Sequence, residues 1–298
     1  EGSSQCFVCE SGTYSGSNSS ICTDCLAGHQ CTTTTQIICE EGFYSPSKSS
    51  SCIPCNPGTF NPTPGSDSCT ECSPGHQCSS TKQTSCEKGS YSQGRSDKCS
   101  LCPDGTYSDV EGADSCEVCN AGSKCENGDM TVCEAGSYST KGTSRCFQCD
   151  SGTYSASNSS SCTDCLEGHK CSSTTQTVCE VGFYSPEGSA ECFSCEAGTF
   201  SSSTGSSVCT ECRAGYECSA SAEVACGVGY YSSVKSTSCS VCPNGTYSYS
   251  EASESCKICE AGSKCQKGVK TVCAAGSYSH EGSSQCFVCE SGTYSGSN

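Results

Sequence analysis

The residue type that carries chemistry in this chain is cysteine, with 38 of 298 positions. Starting at Cys6 the cysteines run C-x2-C-x12-C-x2-C-x5-C-x7-C, giving Cys6, Cys9, Cys22, Cys25, Cys31 and Cys39. Three kinds of chemistry fit such spacing. Paired C-x2-C motifs bind zinc as thiolates, a lone C-x2-C in a βαβ setting exchanges disulfides, and a dense even-spaced set forms structural cross-links. Zinc is disfavoured because each unit holds six cysteines and no regularly placed histidine. The four histidines (His29, His76, His169, His280) form no ligand set, and the slot of the first three holds Ser123, Tyr216 or Ser263 elsewhere. Redox exchange is disfavoured because no βαβ pattern surrounds any C-x2-C. Disulfides remain, and they imply an oxidising, extracellular compartment.

Spacing alone leaves the connectivity open. One arrangement crosses two links, Cys6–Cys22 and Cys9–Cys25, and closes the unit with Cys31–Cys39. Another joins neighbours in order, Cys9–Cys22, Cys25–Cys31 and Cys39–Cys52, so that bonds cross unit boundaries. The crossed arrangement is the expectation.

The elements that must position these cysteines are repeats. The frame restarts at Cys52, Cys99, Cys146, Cys192, Cys239 and Cys286, in steps of 46 or 47 residues. The units are therefore 1–51, 52–98, 99–145, 146–191, 192–238 and 239–285, with 286–298 opening a seventh. Residues 1–140 and 141–280 align without a gap at about 78 of 140 identical positions, and residues 281–298 repeat residues 1–18 letter for letter. The chain starts without Met and stops in mid-pattern, so it reads as a window from a longer polypeptide with a 280-residue period. Within each unit lies a shorter period of about 16 residues, in the forms CxxG-T-[YF], CxxGxxC and CxxGxYS. The glycine three residues after a cysteine suggests a turn with positive φ or a close backbone approach. The aromatic that follows (Tyr14, Tyr44, Phe60, Tyr91, Tyr107, Tyr138) is read as packing over a disulfide and a neighbouring strand.

Composition agrees with that plan. The hydrophobic 33% amounts to about 98 residues, and removing 38 cysteines leaves about 60, only three of them leucine. A continuous aliphatic core is out of reach, and a cysteine content above roughly 8–10% marks a disulfide scaffold. No helical periodicity appears. Short runs such as Gly12-Thr13-Tyr14-Ser15 and Thr131-Val132-Cys133 are the best strand candidates. The fold class expected is small disulfide-rich repeats: short β-strands and loops in an elongated rod or solenoid-like array, almost without helix. Closing a loop of about 13 residues stabilises by roughly 3 kcal/mol in the chain-entropy model, enough to stand in for missing burial.

Other functions find little support. Net charge is 15 − 32 = −17, thinly spread, which leaves no basic stripe for nucleic acid. No stretch approaches the ~18 apolar residues of a membrane span. No GxSxG, HExxH, P-loop or calcium-loop motif occurs, so no enzyme and no cofactor are expected, apart from weak calcium between units. Asn18, Asn158 and Asn244 begin N-glycosylation sequons; Asn18 and Asn158 are equivalent in the two halves, and Asn298 would begin the same motif again. Ser/Thr tracts such as Thr32 to Thr35 and Ser201 to Thr204 are candidates for O-glycans.

The string from Cys6-Phe7-Val8-Cys9 through Gly12-Thr13-Tyr14-Ser15 to Cys22-Thr23-Asp24-Cys25 resembles the ephrin-receptor-like cysteine-rich repeats. It is similar, more loosely, to tumour-necrosis-factor-receptor modules and to cysteine-rich surface or fibre proteins of protists and algae. The resemblance implies extracellular, β-poor modules with disulfide ladders, used as stalks, ligand-binding ectodomains or coat proteins. Because sameness dominates here, the expected function is an extracellular structural repeat protein of a glycosylated filament, sheath or cell-surface appendage. Its partners would be copies of itself and glycans. The alternative is the ligand-binding stalk or ectodomain of a surface receptor or adhesin, which an exposed, variable patch in one unit would favour.

Overall fold

The computed structural model describes residues 6–295, and no helix occurs among them. Asn298 and the last residues of the seventh unit lie outside the described residues. Among the described residues, thirty-six strands of two to four residues pair as eighteen two-stranded sheets, each a hairpin between consecutive strands. Thr13–Tyr14 pairs antiparallel with Thr23–Asp24, His29–Cys31 with Gln36–Ile38, and Phe43–Tyr44 with Ile53–Pro54. These three hairpins are the three sixteen-residue forms of the sequence. Two compact units contain them: residues up to Phe147 with Ser157–Ser161, and Gln148–Ala156 with the residues from Cys162 onward.

Each hairpin begins where a Cys-x-x-Gly turn reverses the chain. At Cys165-Leu166-Glu167-Gly168 the amide of His169 donates to the Leu166 carbonyl at 3.2 Å, with Gly168 at φ +73°. That is the left-handed region, which a Cβ penalises by roughly 1–2 kcal/mol. A Cβ there would also fall 2.9 Å from Gly205 Cα and nearer still to the Gly205 carbonyl. Both readings of the motif, positive φ and close approach, thus hold at one residue. The longest hairpins, Ser123–Glu126 with Asp129–Val132 and Ser263–Gln266 with Val269–Val272, turn through Asn127-Gly128 and Lys267-Gly268. All four turn residues have positive φ, the requirement of a two-residue type I′ loop.

Successive hairpins are stitched by backbone bonds at matching places. Gly28 donates to the Ser45 carbonyl (2.8 Å), Cys39 to Gly28 (2.9 Å), and Lys48 to Cys25 (2.8 Å). The same bonds recur in the other unit as Gly168 to Ser185 (2.8 Å), Cys179 to Gly168 (2.9 Å) and Gly188 to Cys165 (2.8 Å). With strands this short, no single hairpin is stable in water alone. The core is sulfur: among the described residues the largest side chains less than 2% exposed are all cysteines. Tyr107 packs with Cys119 and Cys125, and Tyr247 with Cys259 and Cys265, the miniature core expected of the aromatics. At other slots the ring is half-buried and meets a cross-strand partner instead, as in Tyr138–Phe147 and Tyr184–Phe193, both 5.8 Å between centroids.

Candidate functional site

Thirty-six cysteines form eighteen disulfides, all between neighbours in sequence. The first unit holds Cys9–Cys22, Cys25–Cys31 and Cys39–Cys52, which corrects the crossed expectation of Cys6–Cys22, Cys9–Cys25 and Cys31–Cys39. The physical reason is the hairpin. Its reversal after Cys9 carries the chain back so that Cys9 and Cys22 stand 5.7 Å apart at Cα, within disulfide reach. Cys25 and Cys31 sit at 5.8 Å across the next turn. Cys39–Cys52, Cys86–Cys99 and Cys133–Cys146 bridge consecutive 47-residue units, so the sequence period is not a covalently closed module. Cys6 and Cys289 have no disulfide partner in the structure.

Sequence reasoning missed the buried serines. The serine ending CxxGxYS is sealed off, as at Ser45, Ser139 and Ser185 (each 0% exposed). Its hydroxyl donates to a carbonyl 16 residues earlier: Ser45 to His29 (2.8 Å), Ser139 to Ser123 (2.7 Å), Ser185 to His169 (2.7 Å). Such bonds satisfy strand-end carbonyls where no water reaches. The invariance of Tyr-Ser in the motif was the available signal. The histidines take a structural part beside them: His29, His76 and His169 place Nδ1 at 2.9–3.1 Å from the carbonyl two residues back.

The sequon asparagines are all exposed on turns. Asn18 and Asn158 adopt φ of 65° and 62°, a conformation asparagine tolerates better than most residues. Asn244 lies in the turn that opens Thr246–Tyr247, with its Oδ1 at 3.5 Å from the Lys267 amide.

The most developed side-chain clusters surround the two buried tyrosines. The Tyr107 hydroxyl donates to Glu117 Oε2 at 3.0 Å, its cross-strand partner. That bond, helped by burial and by the charges of Glu117 and Asp109, raises the phenol above its ordinary value. Tyr247 stands in the same slot opposite Lys257, and its hydroxyl instead donates to Glu260 Oε1 at 2.9 Å, which raises it likewise. Lys270 bonds the other Glu260 oxygen and lies 5.3 Å from the centroid of the Tyr247 ring. Lys270 first, and Tyr247 second, lower the Glu260 carboxyl. Lys257 lies 4.4 Å from the Tyr249 ring centroid and donates to its oxygen at 2.9 Å, which lowers that phenol.

The one grouping of potential ligands among the described residues is Cys212, Cys218 and Glu223. Its two sulfurs form a disulfide, and Glu223 is engaged by Arg213 at 2.8 Å. With 36 sulfurs oxidised, thiolate ligation of zinc does not fit. Surface grooves, such as that lined by Lys170, Val178, Glu180 and Phe183, are open to solvent. Among the described residues no helix is long and apolar enough to cross a membrane.

Residues 89–127 match the model of the family described as tyrosine-protein kinase ephrin type A/B receptor-like. A search of curated proteins found no match. The matched stretch contains Cys99, Cys102, Cys116, Cys119 and Cys125, and the same cysteine order starts again at Cys6, Cys52, Cys146, Cys192 and Cys239. Disulfides in this number and a module of this kind are features of extracellular proteins. The chain is therefore an array of disulfide-rich repeats, and its stretch 89–127 is similar to the ephrin-receptor-like module.

Proposed function

We propose that the chain is a non-catalytic, extracellular structural protein, a building block of a glycosylated filament, sheath or cell-surface appendage. The observation that carries this reading is repetition of the contacts themselves. The same glycine-to-serine and cysteine-to-glycine backbone bonds recur in every 47-residue unit, from Gly28–Ser45 to Gly262–Ser279. A repeat whose joints are all alike is suited to presenting copies of itself at a fixed interval. Disulfide cross-linking supplies the durability an extracellular fibre needs, and exposed Asn18, Asn158 and Asn244 offer sites for glycans. Immunogold microscopy with an antibody against residues 257–270 tests the proposal. Label at regular intervals along extracellular fibres is the expected result; label confined to dispersed membrane particles would overturn it.

One observation favours the second reading, a ligand-binding ectodomain. The surfaces of the units are not all equal: the lysines around Tyr247 have no counterpart around Tyr107.

A further inference from the structure

The third and sixth units stand 140 residues apart in sequence and share their hairpins strand for strand, yet their charges oppose. Residues 102–133 carry seven carboxylates and Lys124, a net of 1 − 7 = −6. Residues 242–273 carry four lysines and three glutamates, a net of 4 − 3 = +1. Seven of the eight positions where the two stretches differ in charge shift toward positive. The eighth places Glu260 where the third unit has Asn120, and Glu260 is held between Lys270 and the Tyr247 hydroxyl. In a chain of net charge −17, four of 15 cationic residues fall within positions 257–270.

The differences converge on one place in the fold. Around Tyr107 the slots hold Asp109, Glu117 and Met130; around Tyr247 they hold Tyr249, Lys257 and Lys270. The charged members are exposed in both units. Met130 (43% exposed) and Val132 (51%) flank the acidic face, and Val272 (58%) flanks the basic one. Each face thus combines exposed apolar side chains with charge, on the same hairpin register and with two signs. Like-signed faces repel when copies meet in register, and opposite faces attract.

We propose that the Tyr107 face of one copy of the chain docks on the Tyr247 face of a second copy. This deepens the filament reading and rests on it, by naming the surfaces through which copies meet. A soluble polyanion would account for the lysines alone; the acidic face in the matching slots calls for a partner of both kinds, which the chain itself is. Opposite charge at equivalent positions sets the register of association and excludes acidic-on-acidic pairing.

Sedimentation velocity on the full chain, with Cys6 and Cys289 alkylated, tests this using two double variants. Asp109→Lys with Glu117→Lys removes most of the acidic face, taking residues 102–133 from −6 to 3 − 5 = −2, and Lys257→Glu with Lys270→Glu makes both faces acidic, taking residues 242–273 from +1 to 2 − 5 = −3. Wild type is expected to self-associate, less so at high salt. Each variant alone should associate about tenfold or more weakly, and an equimolar mixture of the two should recover association. Unchanged hydrogen exchange at the hairpin amides shows that the variants fold. Variants that associate like wild type, or a mixture that stays dissociated, overturn the docking assignment while the filament reading stands. A wild type that stays monomeric, including one that binds heparin as probe, overturns both.

Discussion

Replacing three glycines by alanine, one at a time, separates backbone strain from backbone contact. Gly227 lies outside the left-handed region with nothing within 4 Å of its would-be Cβ. Gly227→Ala should therefore be neutral or stabilise by up to about 1 kcal/mol, through the unfolded chain. Gly188 has φ +72° and open space, so Gly188→Ala should cost only the left-handed penalty, about 1–2 kcal/mol. Gly168 has nearly the same φ, +73°, but its Cβ would strike the Gly205 backbone. Relieving that overlap moves the strand away from three bonds: Gly168 to Ser185 (2.8 Å), Cys179 to Gly168 (2.9 Å) and Gly205 to Cys179 (2.9 Å). At about 1 kcal/mol per bond the total for Gly168→Ala reaches about 4 kcal/mol. Hydrogen exchange read by mass spectrometry on the amides of Cys179 and Gly205 measures the difference. At about 1.4 kcal/mol per tenfold, protection there should fall roughly a thousandfold for Gly168→Ala and about tenfold for Gly188→Ala. Equal losses for the two variants would show that the close approach of hairpins carries no energy, and the stitching derived from it would be wrong.

Four further outcomes are expected. Peptide mapping without reduction should find Cys9–Cys22, Cys25–Cys31 and Cys39–Cys52; a Cys9–Cys25 peptide would contradict the hairpin ladder. Replacing both Cys39 and Cys52 by alanine, a loop closed over 13 residues, should cost about 3 kcal/mol in denaturant titration. Carbon NMR of labelled tyrosines should show Tyr249 ionising below the ordinary phenol value and Tyr107 and Tyr247 above it. Lys257→Met should return Tyr249 upward, because the ammonium no longer favours the phenolate. Glycosidase release from secreted material should leave Asn18, Asn158 and Asn244 converted to aspartate; unconverted asparagine at all three would remove glycans from the function proposed.

Much of the fold was legible because the constraints were local. A glycine three residues after a cysteine announces a tight reversal, and Thr13–Tyr14 after Gly12 announces the strand that follows it. The absence of helix followed from the missing 3.6-residue period. Connectivity was not legible, because the cysteine spacing fits several ladders and only the path of the hairpin chooses among them. The serines were hidden for a related reason. A serine in a Ser-rich chain reads as solvated loop, and only the fold shows that Ser45 faces the carbonyl of His29, 16 residues back.

The charge pattern was hidden differently, since every residue of it was in plain sight. Summed over the chain, dispersed Asp and Glu read as a solvated face, and a net of −17 conceals a local +1. What turns the list into a surface is the Tyr107–Glu117 and Tyr247–Lys257 register, which puts residues ten apart side by side and makes the two units superimposable slot for slot. Sameness of backbone is then what gives meaning to difference of charge. If two units had unlike folds, an acidic patch on one and a basic patch on the other would have no common outline to match. Here the stitching bonds that make every repeat alike leave the rim residues free to differ, so a repetitive scaffold can still specify which repeat meets which. That is the property a self-assembling chain needs in order to build with a defined stagger, and the paired charge reversals read it directly.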